Sequence, residues 1–254
     1  MDKELIALRF AKAASTYQSE SMVQRQIAQR LIEELLAFVG GCMPQRILEV
    51  GCGTGHLSHR LYEEFSPDAL YLNDLCEEMG ATLSSLTERE GVEFAAYDAD
   101  NSEAALPSGL DLVASSSAIQ WFEDLEGFFR RAAESLKSGG FMALSTFGGD
   151  NLFEVTTLSG VGLDYPQREE IEKLAEKEFE VLYSREQHIT LHFDSPSSVL
   201  RHLKLTGVNS VEATSWTRGR LTEFLRDYSL RFPLESGGGV SLTYNPIYLI
   251  LKRK

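Results

Sequence analysis

"RILEVGCGTGHLSHRL", residues 46–61, decides how the rest of the chain is read. The run Arg46-Ile47-Leu48-Glu49-Val50 reads as a short buried strand meeting three glycines at alternate positions, Gly51, Gly53 and Gly55. Helical spacing resumes directly afterwards in "HLSHRLYEEF". A strand, a glycine turn and a helix in this order carry the pyrophosphate in nucleotide-binding sheets when the glycines read GxGxxG. Here they read GxGxG, and the same turn also serves packing alone, so by itself it is a weak signal. A P-loop is excluded, because His56, Leu57 and Ser58 follow Gly55 where a Gly-Lys-Ser/Thr run would be needed.

On the N-terminal side, residues 3–14 and 22–39 have helical spacing, the second through Val23, Ile27, Leu31, Leu35 and Phe38. On the C-terminal side, "LYLNDL" is a second strand ending at Asn73-Asp74, "CEEMGATLSSLTERE" a helix, and "VEFAAYDAD" a third strand ending near Asp98. "LDLVASSSAIQWF" is a fourth strand running into a polar loop. "LEGFFRRAAESLKSGG" is a helix stopped at Gly139-Gly140, and "FMALSTFG" a fifth strand. Strands apolar on both faces, alternating with helices, predict an α/β fold with a parallel sheet covered on both sides. Beyond residue 150, "REEIEKLAEKEFE" is a charged helix and "EVLYSREQHITLHF" one long strand. "SPSSVLRHLKLTG" and "TRGRLTEFLRDYSLRF" are helices, and "VSLTYNPIYLILKRK" one terminal strand. The expected organisation is one domain over 1–254, with an N-terminal helical lid (1–40), a ligand-binding core (41–150) and a helical substrate cap (195–235) inserted before the last strand.

A chain of 254 residues, 43% apolar and 24% charged, can bury a substantial core. No apolar run reaches the roughly 20 residues of a membrane span, and "MDKELIALRF" lacks the apolar centre of a signal peptide. Cys42, Cys52 and Cys76 have no metal-ligand spacing and cannot all pair, which predicts a reduced, cytoplasmic protein without metal or membrane. A net charge of -14 argues against nucleic-acid binding. Residues 181–254 nonetheless hold 10 Lys and Arg against 6 Asp and Glu. This basic stretch on an acidic chain is either a set of solvated helix faces or a docking face for an acidic partner.

Consecutive strand ends sharpen the glycine turn. Asp74 lies about 20 residues beyond it, where a carboxylate can accept both hydroxyls of a ribose or cap the following helix. Asp98-Ala99, at the next strand end, is placed to contact an adenine. "LEVGCGTG", "LND", "YDA" and "SSSAIQWF", spread over about residues 40–150, resemble the successive motifs of class I S-adenosylmethionine-dependent methyltransferases. That resemblance implies a Rossmann-like seven-stranded sheet of order 3-2-1-4-5-7-6 with strand seven antiparallel. It also implies S-adenosylmethionine as cofactor, held by Tyr17, Glu49, Gly51, Gly53, Gly55, Asn73, Asp74, Leu75, Asp98, Ala99, Ser115 and Gln120.

Stretches outside that core narrow the resemblance. "RFAKAASTYQSESMVQRQIAQRL", "SSSAIQWF", "GGFMALSTFGGDNLFEV", "LRHLKLTGVN" and "LTYNPIYLI" together resemble the malonyl-acyl carrier protein O-methyltransferases of biotin synthesis over nearly the whole chain. Small departures are "LKSGG" for the usual "LKPGG", and Cys52 where some relatives have Pro or Ala. The resemblance implies methylation of the free carboxylate of a malonyl thioester on acyl carrier protein or coenzyme A. Such a carboxylate, with a pKa of about 4 or below, is an anion at neutral pH and attacks a sulfonium methyl in line without a general base. The site must then position and desolvate it. Tyr17, Trp121, Phe122 and Phe147 are the expected apolar walls and Gln120 a hydrogen-bonding group. Arg201, His202 or Lys204 is expected to meet the malonyl carboxylate or the phosphopantetheine phosphate. The cap cations Arg201, Lys204, Arg218, Arg220, Arg226 and Arg231 are expected to dock the acidic carrier protein. Three rivals remain at this point: an enzyme for an aconitate-like small acid, a carbon methyltransferase for a quinone-like ring, and a cofactor-binding protein without turnover.

Overall fold

Residue alternation along β1 (Arg46–Val50) divides the core in two. Ile47 packs with one apolar cluster, Leu48 and Val50 with the other. The structure, a computed structural model, describes residues 3, 7, 8, 11, 21–41, 43–206, 217–235 and 237–254. Tyr17, most of the first expected helix and residues 207–216 of the expected cap lie outside them. β1 pairs in parallel with β2 (Ala69–Asp74) and β4 (Leu110–Ser116). β2 pairs likewise with β3 (Val92–Ala96), and β4 with β5 (Leu136–Phe147). The last strand, β9 (Pro246–Arg253), is antiparallel to both β5 and β6 (Phe179–Glu186), giving the order β3-β2-β1-β4-β5-β9-β6. This is the class I order, with β9 as the seventh strand of the sheet.

Helices cover both faces. On one lie α1 (Met22–Val39) and α2 (His56–Phe65); Val23, Ile27, Leu31 and Leu35 form the buried stripe of α1, which ends at Gly40. The other carries α5 (Leu125–Ser135) and α7 (Arg168–Ala175). Asp124 caps α5 by accepting the Gly127 N–H at 2.8 Å. The expected helix over "CEEMGATLSSLTERE" is instead two single turns, α3 (Met79–Thr82) and α4 (Ser84–Thr87). Thr82 turns its hydroxyl back onto the Met79 carbonyl at 2.7 Å, which competes with continuing the helix. The helix before β5 stops at Ser135, ahead of Gly139-Gly140. Leu136 already pairs with Leu110, and the register shifts before Phe141 meets Leu112; Gly139, at φ +74, supplies the irregular backbone.

The two long terminal strands are each split. Beyond β6 the chain restarts as β7 (Ile189–Phe193), and ahead of β9 lies β8 (Val240–Tyr244); β7 and β8 form a separate two-stranded sheet. The fully buried Asn245 makes the break. Its side-chain amide donates to the Gln187 carbonyl at 2.9 Å, and its side-chain oxygen accepts from Asp150 N at 3.1 Å. Its own N–H donates to the Asn151 side-chain oxygen, and its carbonyl accepts from Gly148 N at 2.8 Å. One residue thus redirects the ribbon out of the main sheet. The small sheet, α6 (Phe153–Ser159), α8 (Pro196–Leu205) and α9 (Arg218–Arg231) stand around this bend. No helix among the described residues is long and apolar enough to cross a membrane.

Candidate active site

The glycine turn is shaped by close packing. Gly51, Gly53 and Gly55 take φ values of +72, +52 and +89, a region where L side chains are strained. A Cβ on Gly51 would stand 2.2 Å from the Ala118 Cβ, and one on Gly55 2.5 Å from Leu83 Cδ2. Gly53 differs, since its missing Cβ would meet open space. Two of the glycines therefore seat the turn, and the third leaves its backbone accessible. Gly51 N and Cys52 N both donate to the Asn73 carbonyl, so the end of β2 holds the turn in place.

The turn borders an open cleft. Glu49, Gly51, Gly53, Asn73, Asp74, Leu75, Asp98, Ala99, Trp121 and Phe122 line it together. Asp74 accepts Gly53 N at 2.8 Å through one oxygen and Cys76 N at 2.9 Å through the other. A carboxylate has about four acceptor positions, so some of this capacity remains. Burial raises the Asp74 pKa above the ordinary carboxylate range, against the pull of those N–H groups. Asn73 lines the cleft but spends its amide on the Tyr97 carbonyl at 2.9 Å, tying β2 to the end of β3. Asp98 and Asp100 share the ammonium of Lys3, at 2.8 and 2.7 Å.

Glu49 is the least ordinary group. It is fully buried on β1, one oxygen has no hydrogen-bond partner, and desolvation pushes its pKa up to about 8. Beyond the turn, the imidazole of His56 lies 2.6 Å from the Ser21 hydroxyl. Burial and the nearby Arg25 bring the His56 pKa down to about 4, so it is neutral at pH 7. Beyond the end of β4, Ser117 is held at φ +56, unusual for a non-glycine residue. Its N–H donates to the Ser145 carbonyl, and its carbonyl accepts the Gln120 amide at 2.7 Å.

A family model described as a methyltransferase domain matches residues 47–140. A malonyl-[acyl-carrier protein] O-methyltransferase from Bacteroides thetaiotaomicron is 43% identical over 100% of this chain and 99% of its own. Another of that name, from Bacteroides helcogenes, is 41% identical over the full length of both. The chain belongs to the malonyl-acyl carrier protein O-methyltransferases. Among solved structures, the YcgJ protein of Bacillus subtilis shares the fold at a TM-score of 0.62 and 15% identity, covering 89% of this chain and 99% of that one.

Other residues singled out in the sequence lie away from the cleft lining of this family member. Gly55 acts through packing on Leu83. Ser115 is buried and ties β4 to the end of β1 through the Val50 carbonyl at 2.8 Å. Gln120 braces the Ser117 loop. Phe147 sits in the core against Tyr165 and Tyr244. On α8, Arg201 and Lys204 are exposed, whereas His202 is buried, 2.9 Å from the Tyr244 hydroxyl.

Lys3, Gln24, Thr54, His56, Cys76 and Met79 line the cleft without having been singled out. Gln24 did leave a trace, being the polar residue on the otherwise apolar stripe of α1. Lys3 left none, because its partners are more than 90 residues away.

Proposed function

We propose that this chain transfers a methyl group from S-adenosylmethionine to the free carboxylate of a malonyl thioester carried by an acidic acyl carrier protein. The observation that carries the choice of acceptor is that 43% identity spans the entire chain, well beyond the matched methyltransferase domain. The cleft fits the cofactor on its own terms. Asp74 retains acceptor capacity for a diol, Asp98 stands at the next strand end for an exocyclic amine, Gly53 leaves room for close approach, and Glu49 is a buried acceptor lacking a donor. When bound, S-adenosylmethionine supplies a methyl group on a sulfonium.

The chain's residues then need only hold and desolvate an acceptor that is already ionised. Trp121 and Phe122 offer the apolar wall beside the Ser116–Ala118 loop, and Phe122 is fixed edge-on against Phe128 at 4.8 Å. The carrier protein docks on the exposed cations of α8 and α9, namely Arg201, Lys204, Arg218 and Arg231. Arg226 contributes less, because Glu223 and Asp227 of its own helix neutralise it. Leu230, 71% exposed on the same helix, adds an apolar contact. Incubation with labelled S-adenosylmethionine and malonyl-acyl carrier protein is expected to give an alkali-labile methyl ester. Binding of the cofactor without such a product would overturn the reading.

A further inference from the structure

Two aspartates follow β3, and they differ in what surrounds them. Asp98 borders the cleft with its side chain 32% exposed, whereas the Asp100 side chain is 3% exposed and lies behind the lining. One Asp100 oxygen accepts the Glu123 N–H at 2.8 Å and the Lys3 ammonium at 2.7 Å. The other accepts the Asp124 N–H at 3.1 Å. The backbone N–H of Asp100 in turn donates to Asp98 at 3.0 Å. Burial raises the pKa of such a carboxyl, but Lys3 and the two peptide N–H groups outweigh it and hold Asp100 below the ordinary carboxylate range. Asp100 is therefore an ionised, buried group on which three donors converge.

Glu123 and Asp124 directly follow Trp121 and Phe122, the apolar wall of the cleft. That wall follows a single 3₁₀ turn (Ile119–Trp121), whose hydrogen-bond geometry is weaker than that of an α-helix. Asp100 grips the chain just beyond it by two successive peptide N–H groups. Its neighbour Ala99 accepts Arg131 of α5 through its carbonyl at 2.7 Å. The loop that carries Asp98 is thus joined both to the wall and to α5. Asp111 has the same kinds of donor at the other end of the sheet. It accepts the Gln45 and Arg46 N–H groups at 3.0 and 2.9 Å and the Lys137 ammonium at 2.6 Å, at the start of β1 and away from the cleft.

We propose that Asp100 is a positioning residue for methyl transfer, holding the turn behind Trp121 and Phe122 so that this wall stands at a fixed place relative to the strand end that carries Asp98. The proposal rests on the reading that the cleft holds S-adenosylmethionine and that the wall places the acceptor. Asp100 acts through the two peptide N–H groups it accepts, from behind the lining. In-line attack tolerates little error in placement, and a shift of about 1 Å can cost about 100-fold in rate. Lys3 supports the same arrangement, because its ammonium spans Asp98 and Asp100.

The test compares D100A with D111A, each of which strips two peptide N–H groups and a lysine of a shared acceptor. Both should lower the melting temperature. Only D100A is expected to lower kcat/KM for malonyl-acyl carrier protein, by roughly 10- to 100-fold. The non-reactive ligand S-adenosylhomocysteine should bind D100A within about threefold of the wild type, the low end for one hydrogen bond, since the bond to Asp98 comes from the backbone of residue 100. Equal kinetics in D100A and D111A, or an affinity loss for S-adenosylhomocysteine as large as the loss in kcat/KM, would overturn the proposal. If D100A does not fold, K3M is the milder variant. It should lower kcat/KM by up to about fivefold, the range of a part-exposed ion pair, and K3R should restore the rate, because a guanidinium can bridge two carboxylates. K3M as active as the wild type would sink the idea. A wild-type chain that bound S-adenosylhomocysteine yet made no ester would remove the functional reading itself and the proposal with it, before any variant is compared.

Discussion

The glycine-turn side of the cleft and the region around the bent ribbon differ in how tightly the sequence determines them. On the first side, cleft-lining residues sit at the ends of β1, β2 and β3, and sheet register fixes where each one sits. Val50 pairs with Asn73, and Asp74 with Ala96, so the chain has little freedom in placing Asp74 or Asp98. Around the bend, positions depend on how helices roll against a small second sheet. There Arg201 and Lys204 point to solvent while His202, between them, is buried against Tyr244. Backbone pairing makes one half of the site legible; side-chain packing decides the other.

The largest effect expected to test this contrast is at Gly51. G51A forces a Cβ to within 2.2 Å of Ala118 at a positive φ, a combination of overpacking and strain costing about 3–5 kcal/mol. G53A has a similar φ but open space, so its cost is about 1–2 kcal/mol. Thermal melts should rank G51A far below G53A, whereas both should lose S-adenosylhomocysteine affinity. Equal melting temperatures would mean that the turn is not seated by Ala118.

Glu49 gives the next effect. Its folded pKa, about 8, lies above the ordinary value of 4.5, so the fold favours the protonated acid. That contribution to stability is full below about pH 4.5 and is lost as pH rises through about 8. The wild type should therefore lose stability relative to E49Q between pH 5 and 9, by a few kcal/mol as an upper bound. Parallel melting curves for the two across that range would show that Glu49 ionises freely.

Asn245 is the counterpart in the bent ribbon. N245A removes the side-chain bonds to the Gln187 carbonyl and Asp150 N, leaving part-buried backbone groups unpaired at a cost of about 1–3 kcal/mol in chemical unfolding. This residue also explains what the sequence concealed. "EVLYSREQHITLHF" and "VSLTYNPIYLILKRK" each alternate well enough to read as single strands. Nothing local says that Asn245 bonds to Asn151, 94 residues earlier, and bends both. The sheet order was legible because strand-helix alternation has few topological solutions. The helix expected after β2 was misjudged because Thr82 competes for the backbone within its own turn.

Smaller still is the effect of charge on the proposed docking face. R218E/R231E should raise KM for malonyl-acyl carrier protein about tenfold, as expected for exposed charges that steer encounter, and leave malonyl-coenzyme A unchanged. The difference should shrink at high salt. An equal change for both substrates would place these arginines in the reaction site rather than on a docking face.

Ser117 should give the smallest effect. At φ +56 its backbone is strained by roughly 1 kcal/mol, which glycine would relieve. Glycine also gains freedom in the unfolded chain, which costs about 0.5–1 kcal/mol. The two contributions nearly cancel, so S117G should shift stability by no more than about 0.5 kcal/mol. The bonds from Ser117 N to Ser145 and from Gln120 to the Ser117 carbonyl use only the backbone of residue 117 and survive the change. Any loss of S-adenosylhomocysteine affinity should therefore be only about two- to threefold, the entropy of ordering a looser loop. A gain above 1 kcal/mol with affinity intact would mean that the strain at this wall serves no purpose in binding. A large affinity loss at unchanged stability would place the Ser117 side chain, whose hydroxyl is buried without a partner, among the groups that meet the ligand.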